Sequence, residues 1–368
     1  MIYDHGLLDE LGNFINILKR YDKLYIYGAA HNQKMLAKYL DICGISTRGF
    51  VTSETLGDIA FPAGAGVILG LSDKYYNEAY PRLVTREKPI DVIFLSERAK
   101  HTISYKVTPR QPDEYNIEIN LADHCNLNCQ MCDHFSQLVK EPCFLDIDEC
   151  ERDLNRLSEL SGGRLGIIKL LGGEPLLNED IVKCLKTVRR YFADTPVWIY
   201  TNGLLLLSPR MEAFWTACKE YDCAIELTPY PMTGLDIMAI RRKAAEREVD
   251  LRLTEVCEKY SLKYQLSAHR LESGYAFVDC YQKNHCNVLK NGKIYACPMS
   301  AYIHYFNEYF NRDFRISESD HIDIHETSSF EEIAEFASRP VPFCGYCDIA
   351  HREFHEWKRS ERLISEYI

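Results

Sequence analysis

Apolar positions recur at helical spacing in Leu7–Leu18, Lys34–Cys43 and Tyr75–Arg86. Between these stretches lie short apolar runs at Leu24–Tyr27, Ser46–Val51, Gly66–Leu71 and Asp91–Leu95. Strands that alternate with helices predict a small parallel α/β sheet over residues 1–104. The stretch Ser96–Glu114 holds Pro109 and Pro112, shows no clear period and reads as a linker. The alternation then starts again over 115–270. Strands are expected at Tyr115–Leu121, Leu165–Leu170, Val197–Tyr200, Ala224–Thr228 and Lys263–Leu266. Helices are expected at Asp146–Leu160, Glu179–Tyr191, Pro209–Tyr221 and Asp236–Glu248. So many β-then-α units predict a barrel or partial barrel, whose reacting groups gather at the C-terminal ends of the strands. Past residue 275 the pattern changes. Cys286–Leu289 and Lys293–Cys297 flank Asn291-Gly292, a strong hairpin signal. Helices are expected around Phe330–Ala337 and over His351–Tyr367, with a turn-rich segment from Pro340 to Cys347 between them.

Composition adds bounds. The 368 residues are 46% hydrophobic and 26% charged, enough for a sizeable core and typical of globular chains. The net charge of −11 argues against nucleic acid as the main partner, since phosphate binding needs a basic surface. The first residues carry acids and no apolar run, unlike a signal peptide, and the longest apolar runs are too short to cross a bilayer. A cytoplasmic protein is expected, with no membrane partner.

Fifteen cysteines are many for such a chain. Cys43, Cys150, Cys184, Cys218, Cys223 and Cys257 are scattered through expected helices and strands and read as small buried hydrophobes. The other nine carry the candidate chemistry. Cys125, Cys129 and Cys132 have the spacing C-x3-C-x2-C directly after a strand. Three thiolates on one loop can face one inorganic cluster. A closed structural zinc site takes four ligands, so three leave a metal position open.

This motif resembles that of the radical S-adenosylmethionine superfamily. Gly172-Gly173-Glu174-Pro175 after the second strand is similar to the family's GGEP element, and Thr201-Asn202-Gly203 ends the third. The resemblance implies a partial (β/α)6 TIM-type barrel with a [4Fe-4S] cluster on Cys125, Cys129 and Cys132. It implies S-adenosylmethionine chelated at the open iron, cleaved on reduction to a 5′-deoxyadenosyl radical that abstracts hydrogen from substrate. The cofactors supply that chemistry, and the protein positions them. Cofactor contacts are expected from Gly172, Gly173, Glu174 and Pro175, from Thr201 and Asn202, and from Thr228. Where the family usually has an aromatic residue before the third cysteine, this chain has Met131; nearby Phe135 is the candidate to compensate. His124, Asp133 and His134 flank the cluster as candidates for tuning it. Cys143 is a candidate hydrogen-atom donor, with an ordinary loop thiol as the alternative.

Downstream, Cys280, Gly292 and Cys297 follow the pattern that opens the family's twitch, or longer SPASM, module, and Cys344-Gly-Tyr-Cys347 is a C-x2-C knuckle. A small C-terminal metal-cluster domain over 275–368 is expected, with one auxiliary [4Fe-4S] cluster. Its ligands are Cys297, Cys344 and Cys347, with Cys280 and Cys286 competing for the fourth place. Structural zinc is the alternative, since spacing alone does not separate the metals.

The N-terminal unit resembles the Rossmann-like modules of carbohydrate-biosynthesis enzymes. Of the G-x-G-x-x-G fingerprint it keeps Gly28, while Ala30 and Gln33 occupy the later places. The expected function is hydrogen abstraction from a small-molecule or carbohydrate substrate, such as a sugar or nucleotide-sugar, leading to dehydrogenation or epimerisation. An electron donor such as flavodoxin or ferredoxin is the expected protein partner. A peptide-modifying radical enzyme and a non-catalytic zinc or iron–sulfur protein are the alternatives.

Overall fold

A computed structural model describes residues 1–368 except 1–4, 30, 71–72, 87–89, 97–98, 100–102, 104–106, 109, 255–259 and 272. Cys257 lies outside the described residues. In the N-terminal unit, β1 (Lys23–Tyr27), β2 (Thr47–Val51), β3 (Ala65–Gly70) and β4 (Asp91–Leu95) form a parallel sheet in the order β2-β1-β3-β4. Helices His5–Leu18, His31–Ile42 and Asp73–Val84 accompany them. The expected linker is partly helical instead. Ala99, Ile103 and Val107 are helical and fully buried, four residues apart, so they present one apolar face. Lys38 holds the Val107 carbonyl at 3.0 Å.

The second sheet carries the site. Strands β5 (Asn116–Ala122), β6 (Ile167–Gly172), β7 (Val197–Thr201), β8 (Cys223–Leu227) and β9 (Leu251–Leu253) run parallel. β10 (Tyr260–Leu266) does not join them, against expectation. It pairs antiparallel with β14 (Cys347–Glu356) in a separate two-stranded sheet. The parallel run therefore ends at β9, a three-residue strand too short to register as a pattern. On its other side β11 (Asn287–Lys290) adds parallel to β5, followed by the antiparallel β12 (Lys293–Tyr295) and β13 (His321–Asp323). The result is a partial (β/α) barrel whose sheet is extended by the C-terminal hairpin.

Local chemistry explains the boundaries. Asp146 caps helix Ile147–Ser161, accepting from the Asp148 and Glu149 amides at 2.9 and 3.0 Å. Asp236 caps Ile237–Glu246 in the same way, on the Ala239 amide at 2.8 Å. The hairpin turn has both central residues left-handed, Asn291 at φ 52° and Gly292 at φ 72°, as a type I′ turn requires. Helix Pro298–Phe310, which the mixed aromatic and polar sequence did not announce, packs beneath this hairpin.

The helix expected over His351–Tyr367 is absent. After β14 the chain is extended, with one short turn at Ile364–Glu366. The spacing of Phe354, Trp357, Ile364 and Tyr367 imitates a helical stripe, but pairing with β10 and with the cysteine loop decides the backbone. Cys129 stands opposite Arg359 in an antiparallel bridge, flanked by the Gln130 amide on the Lys358 carbonyl and the Ser360 amide on the Asn128 carbonyl, both 2.9 Å. Tyr367 is 2% exposed and packs on Phe135 and Phe306, with ring centroids 5.3 and 5.4 Å away. Among the described residues no helix is long and apolar enough to cross a membrane.

Candidate functional site

β5 delivers the loop Asp123–Cys132 to the C-terminal edge of the sheet. Cys129 is buried, and Cys125 and Cys132 keep some exposure. The Leu127 amide donates to Cys125 Sγ at 3.3 Å, and Asn202 Nδ2 approaches the same sulfur at 3.7 Å. Burial pushes the thiols up, Cys125 to about 12, Cys132 to about 11, and Cys129 further. Each is therefore protonated near neutral pH unless a cation replaces the proton. Carboxylate and hydroxyl ligands of the kind that hold calcium or magnesium do not dominate here. The donor set is three thiols, which fits an iron–sulfur cluster.

Gly172 and Gly173 bring the end of β6 onto this loop. Gly172 has φ +141°, and a Cβ there would lie 2.1 Å from the Ala122 carbonyl oxygen. A Cβ on Gly173 would lie 2.1 Å from the His124 carbonyl oxygen. Only glycine permits both approaches. The Gly173 amide donates to Ala122 at 2.7 Å, and the Glu174 amide to His124 at 3.1 Å.

The Glu174 side chain turns inward, toward the end of β7. It is 1% exposed. Oε1 accepts from the Thr201 hydroxyl at 2.7 Å and the Leu176 amide at 3.1 Å, and Oε2 from the Asn202 amide at 2.9 Å. Burial raises its pKa to about 7, against the pull of these hydrogen bonds. Glu174 thus ties the GGEP turn to the end of β7. Thr201 is spent in the same tie, since its hydroxyl also accepts from the Gly203 amide at 3.0 Å. Pro175 is buried at the start of a 3-10 turn. Asn202 remains at the loop, its Nδ2 on Asn126 Oδ1 at 2.8 Å and its Oδ1 on the Leu204 amide at 3.1 Å. Thr228 is half-buried beside Thr254, 3.5 Å between hydroxyls. Met131 is left-handed at φ 57° and half-buried. Phe135 does not compensate for it: it is fully buried between Phe306 and Tyr367, in the core.

The C-terminal cysteines divide. Burial acts first in raising the thiols of Cys297, Cys344 and Cys347, and Cys280 lies close enough to raise all three further. The buried Lys283 lies against this group, and its Nζ donates to the Phe336 and Ala337 carbonyls at 3.1 and 2.9 Å. Cys286 is set apart. It faces Lys169 Nζ at 4.0 Å and is hydrogen-bonded to the Glu118 carboxylate. Cys286 and Cys297 stand at the open ends of the hairpin strands, two positions beyond the Val288–Tyr295 pair. A zinc ion bound by four thiolates holds them roughly 3.8 Å apart. Among the described residues only Cys132, Asp133 and His134 have ligand atoms all within 4.8 Å of one another, so neither cysteine group is drawn in that tightly.

Strand alternation lines the concave face of the barrel with polar groups that motif spacing did not single out. On β5, Ile117, Ile119 and Leu121 face the helices, while Glu118 and Asn120 face inward, 4% and 5% exposed. Lys169 Nζ bridges Glu118 Oε1 at 3.1 Å and the His285 carbonyl at 2.9 Å, and stands 5.8 Å from the Tyr200 ring. Arg252 lies 4.5 Å over Trp198, and Thr254 donates to Glu226 at 3.1 Å. At the rim, His134 Nδ1 meets Asp133 Oδ1 at 2.8 Å, and Asp133 also accepts from Gln282. Burial opposes the charges on this pair, but each stabilises the other, leaving Asp133 low and His134 high. The signal for these residues was a charged or amide side chain at alternate positions of an apolar strand. His124 instead holds the neighbouring segment, its Nδ1 3.2 Å from the Cys143 carbonyl oxygen. Cys143 is exposed and pairs with Tyr305, whose hydroxyl donates to Asp123 at 2.7 Å.

Comparison with known proteins agrees with this geometry. Residues 119–253 match the family described as the Radical SAM superfamily. A probable GTP 3',8-cyclase of Pyrococcus abyssi is 39% identical over 142 residues, 37% of this chain and 44% of that one. One from Thermococcus kodakarensis is 37% identical over 143 residues, 38% and 39% of the two chains. The chain thus spans less than half the length of these curated relatives. The crystal structure of BtrN in complex with AdoMet and 2-DOIA aligns with 64% of this chain and 93% of its own, at 16% identity and a TM-score of 0.41. Three cysteines on the β5 loop, the glycine-tight turn after β6 and the family match fall in one segment, and residues 119–253 form a radical SAM domain.

Proposed function

We propose that the chain is a radical enzyme in which Cys125, Cys129 and Cys132 hold a [4Fe-4S] cluster and the turn Gly172–Pro175 helps to hold S-adenosylmethionine against it. One observation carries this: Gly172 and Gly173 touch the backbone of the cysteine loop so closely that no other residue fits, which places the turn beside the thiols. The bound cofactors supply a 5′-deoxyadenosyl radical. The protein's part is positioning. Glu174 ties three strands' ends together, Asn202 faces Cys125, and the tail residues Lys358–Ser360 brace the loop from the other side.

We assign a second cluster to Cys280, Cys297, Cys344 and Cys347, with Cys286 left out, and read residues 275–368 as a twitch-like module. We read residues 1–104 as a Rossmann-like unit, and the core barrel as starting near residue 115 and ending with β9 rather than running on to residue 270. A protein electron donor of the flavodoxin or ferredoxin type would reduce the catalytic cluster. The substrate is a hydroxyl-bearing small molecule of the carbohydrate type. The inward face of the barrel supports this, because Glu118, Asn120, Lys169, Glu226 and Arg252 suit polar groups and Trp198 and Tyr200 suit sugar faces. The match leaves out more than half the length of the Pyrococcus relative, whose name, and not this chain's sequence, points to GTP.

The test is anaerobic reconstitution with iron and sulfide, then S-adenosylmethionine and dithionite. About eight irons per chain and release of 5′-deoxyadenosine are expected. Replacing Cys125, Cys129 and Cys132 together by Ala should remove about four irons and abolish cleavage. Zinc in place of iron, with no cleavage, would sink the proposal.

A further inference from the structure

We propose that Lys283 is the positive charge built into the auxiliary site, an ammonium that offsets the anionic cluster on Cys280, Cys297, Cys344 and Cys347 and makes that cluster easier to reduce. This rests on the second-cluster reading above and deepens it.

Lys283 is 1% exposed, and its ammonium sits in a cage that supplies no carboxylate. Nζ donates to the Phe336 and Ala337 carbonyls, the last two of helix Phe330–Ala337, at 3.1 and 2.9 Å. The rings of Phe336 and Phe277 lie 4.9 and 5.5 Å from it. The other buried lysine among the described residues, Lys169, is paired with Glu118 at 3.1 Å. Lys283 has no ion pair among the described residues. The buried Arg110 acts on it as a like charge. Asp320 is the buried carboxylate on this side, and it acts on Cys344. Its oxygens are taken by the Phe343 amide at 2.6 Å and by the Ser317 amide and hydroxyl at 2.8 and 2.7 Å. A lone charge buried this deeply is strongly unfavourable unless an anion lies near.

The chain sets that charge against the cysteines. The Lys283 amide donates to Cys280 Sγ at 3.4 Å. Asn287 Nδ2 holds the Lys283 carbonyl at 3.2 Å and the Ala296 carbonyl, next to Cys297, at 2.8 Å. Phe277 belongs to helix Ser273–Asp279, which packs on the turn Pro342–Tyr346 that carries Cys344. The ammonium acts electrostatically on Cys280, Cys297 and Cys344 alike.

The electron count gives the sign. Four thiolates on an oxidised [4Fe-4S] core make a dianion, and one electron from dithionite or the donor protein makes a trianion. No bond forms or breaks and no proton moves. A fixed cation stabilises the trianion more than the dianion, and in a buried site that difference is several times the thermal energy. Lys283 therefore draws the equilibrium toward the reduced cluster. A lysine that only capped the helix would leave the equilibrium where it is, because a neutral donor serves the two carbonyls equally well.

The test reads a potential. In the full chain with Cys125, Cys129 and Cys132 replaced by Ala, anaerobic reconstitution leaves the auxiliary cluster alone, and its reduction is titrated with electron paramagnetic resonance. Lys283→Gln keeps donors for Phe336 and Ala337 but drops the charge, and Lys283→Arg keeps the charge. K283Q should weaken the reduction equilibrium about tenfold, a fall of about 59 mV for one electron, while K283R stays within about threefold of the parent. Equal midpoints for K283Q and the parent overturn the assignment, as does a fall in K283R as large as that in K283Q. Should K283Q hold no iron, iron content decides: about four irons in K283R support the countercharge, and none in K283R overturns it. If the parent itself binds zinc or no metal, the second-cluster reading fails and takes this role with it.

Discussion

The α-carbon of Gly173 lies against His124 so closely that a Cβ there would fall 2.1 Å from the carbonyl oxygen and 2.8 Å from the Cys125 amide nitrogen. Both obstacles are backbone, held by the Glu174 amide on that same carbonyl. Gly173→Ala must therefore push the cysteine loop away from the turn. Overpacking of this kind costs about 1–3 kcal/mol. The expected signature is selective: iron falls from about eight to about four, with the auxiliary site spared. Iron analysis of the anaerobically reconstituted variant checks it, and a full complement of iron would show that the loop tolerates the displacement.

Tyr367 is a plug beneath the same loop. Its hydroxyl meets the Cys132 carbonyl at 3.3 Å and pairs with Gln137, and its ring fills the space between Phe135 and Phe306. Tyr367→Ala should cost about 3–5 kcal/mol, the usual range for a buried aromatic. Tyr367→Phe keeps the ring and should cost about 1 kcal/mol. Urea unfolding ranks the two. In air, the cluster of the Ala variant should bleach faster than that of the Phe variant, because only the former opens the loop to oxygen.

Asp153 joins the barrel to the C-terminal hairpin. It is 4% exposed and accepts from the Gly292 amide at 2.7 Å and from His325 Nε2 at 2.9 Å. Asp153→Ala leaves the turn amide without a partner and should destabilise by about 1–3 kcal/mol. Asp153→Asn keeps an acceptor and should recover part of the loss. Equal midpoints for both variants in denaturant would show that the hairpin does not depend on this tie.

The residues legible in the sequence were those whose chemistry is local. Spacing alone put Cys125, Cys129 and Cys132 on one loop, Asn291-Gly292 in a hairpin and Asp146 at a helix start. What stayed hidden depends on contacts distant along the chain. Nothing near Cys286 distinguishes it from Cys280; the distinction comes from β11 adding to β5, about 170 residues earlier in the chain. Glu118 and Asn120 look like ordinary polar interruptions until β5 is given two buried faces. The tail from Trp357 to Tyr367 has helical spacing but meets an open strand edge and the cysteine loop, and those partners outweigh a weak local preference.

Glu174 makes the stability of the protein without metal depend on pH in a direction opposite to most carboxylates. Burial raises its folded pKa to about 7 from an ordinary 4.5. Below the unfolded value both states carry the proton and the group contributes nothing. Between about 4.5 and 7 the unfolded chain releases its proton while the folded chain keeps it, so the folded state binds more protons and stability falls as pH rises. Above about 7 the loss is complete and levels off, at an order of magnitude of 3 kcal/mol, or ~1.4 per unit. Glu174→Gln has no such titration. It keeps one acceptor for three donors and should be less stable than wild type at low pH, with the gap closing as pH rises to neutrality. Urea unfolding of both proteins in metal-free buffer between pH 5 and pH 8 measures the gap. A gap that widens with pH would mean that the three hydrogen bonds from Thr201, Leu176 and Asn202 outweigh burial and hold Glu174 ionised throughout.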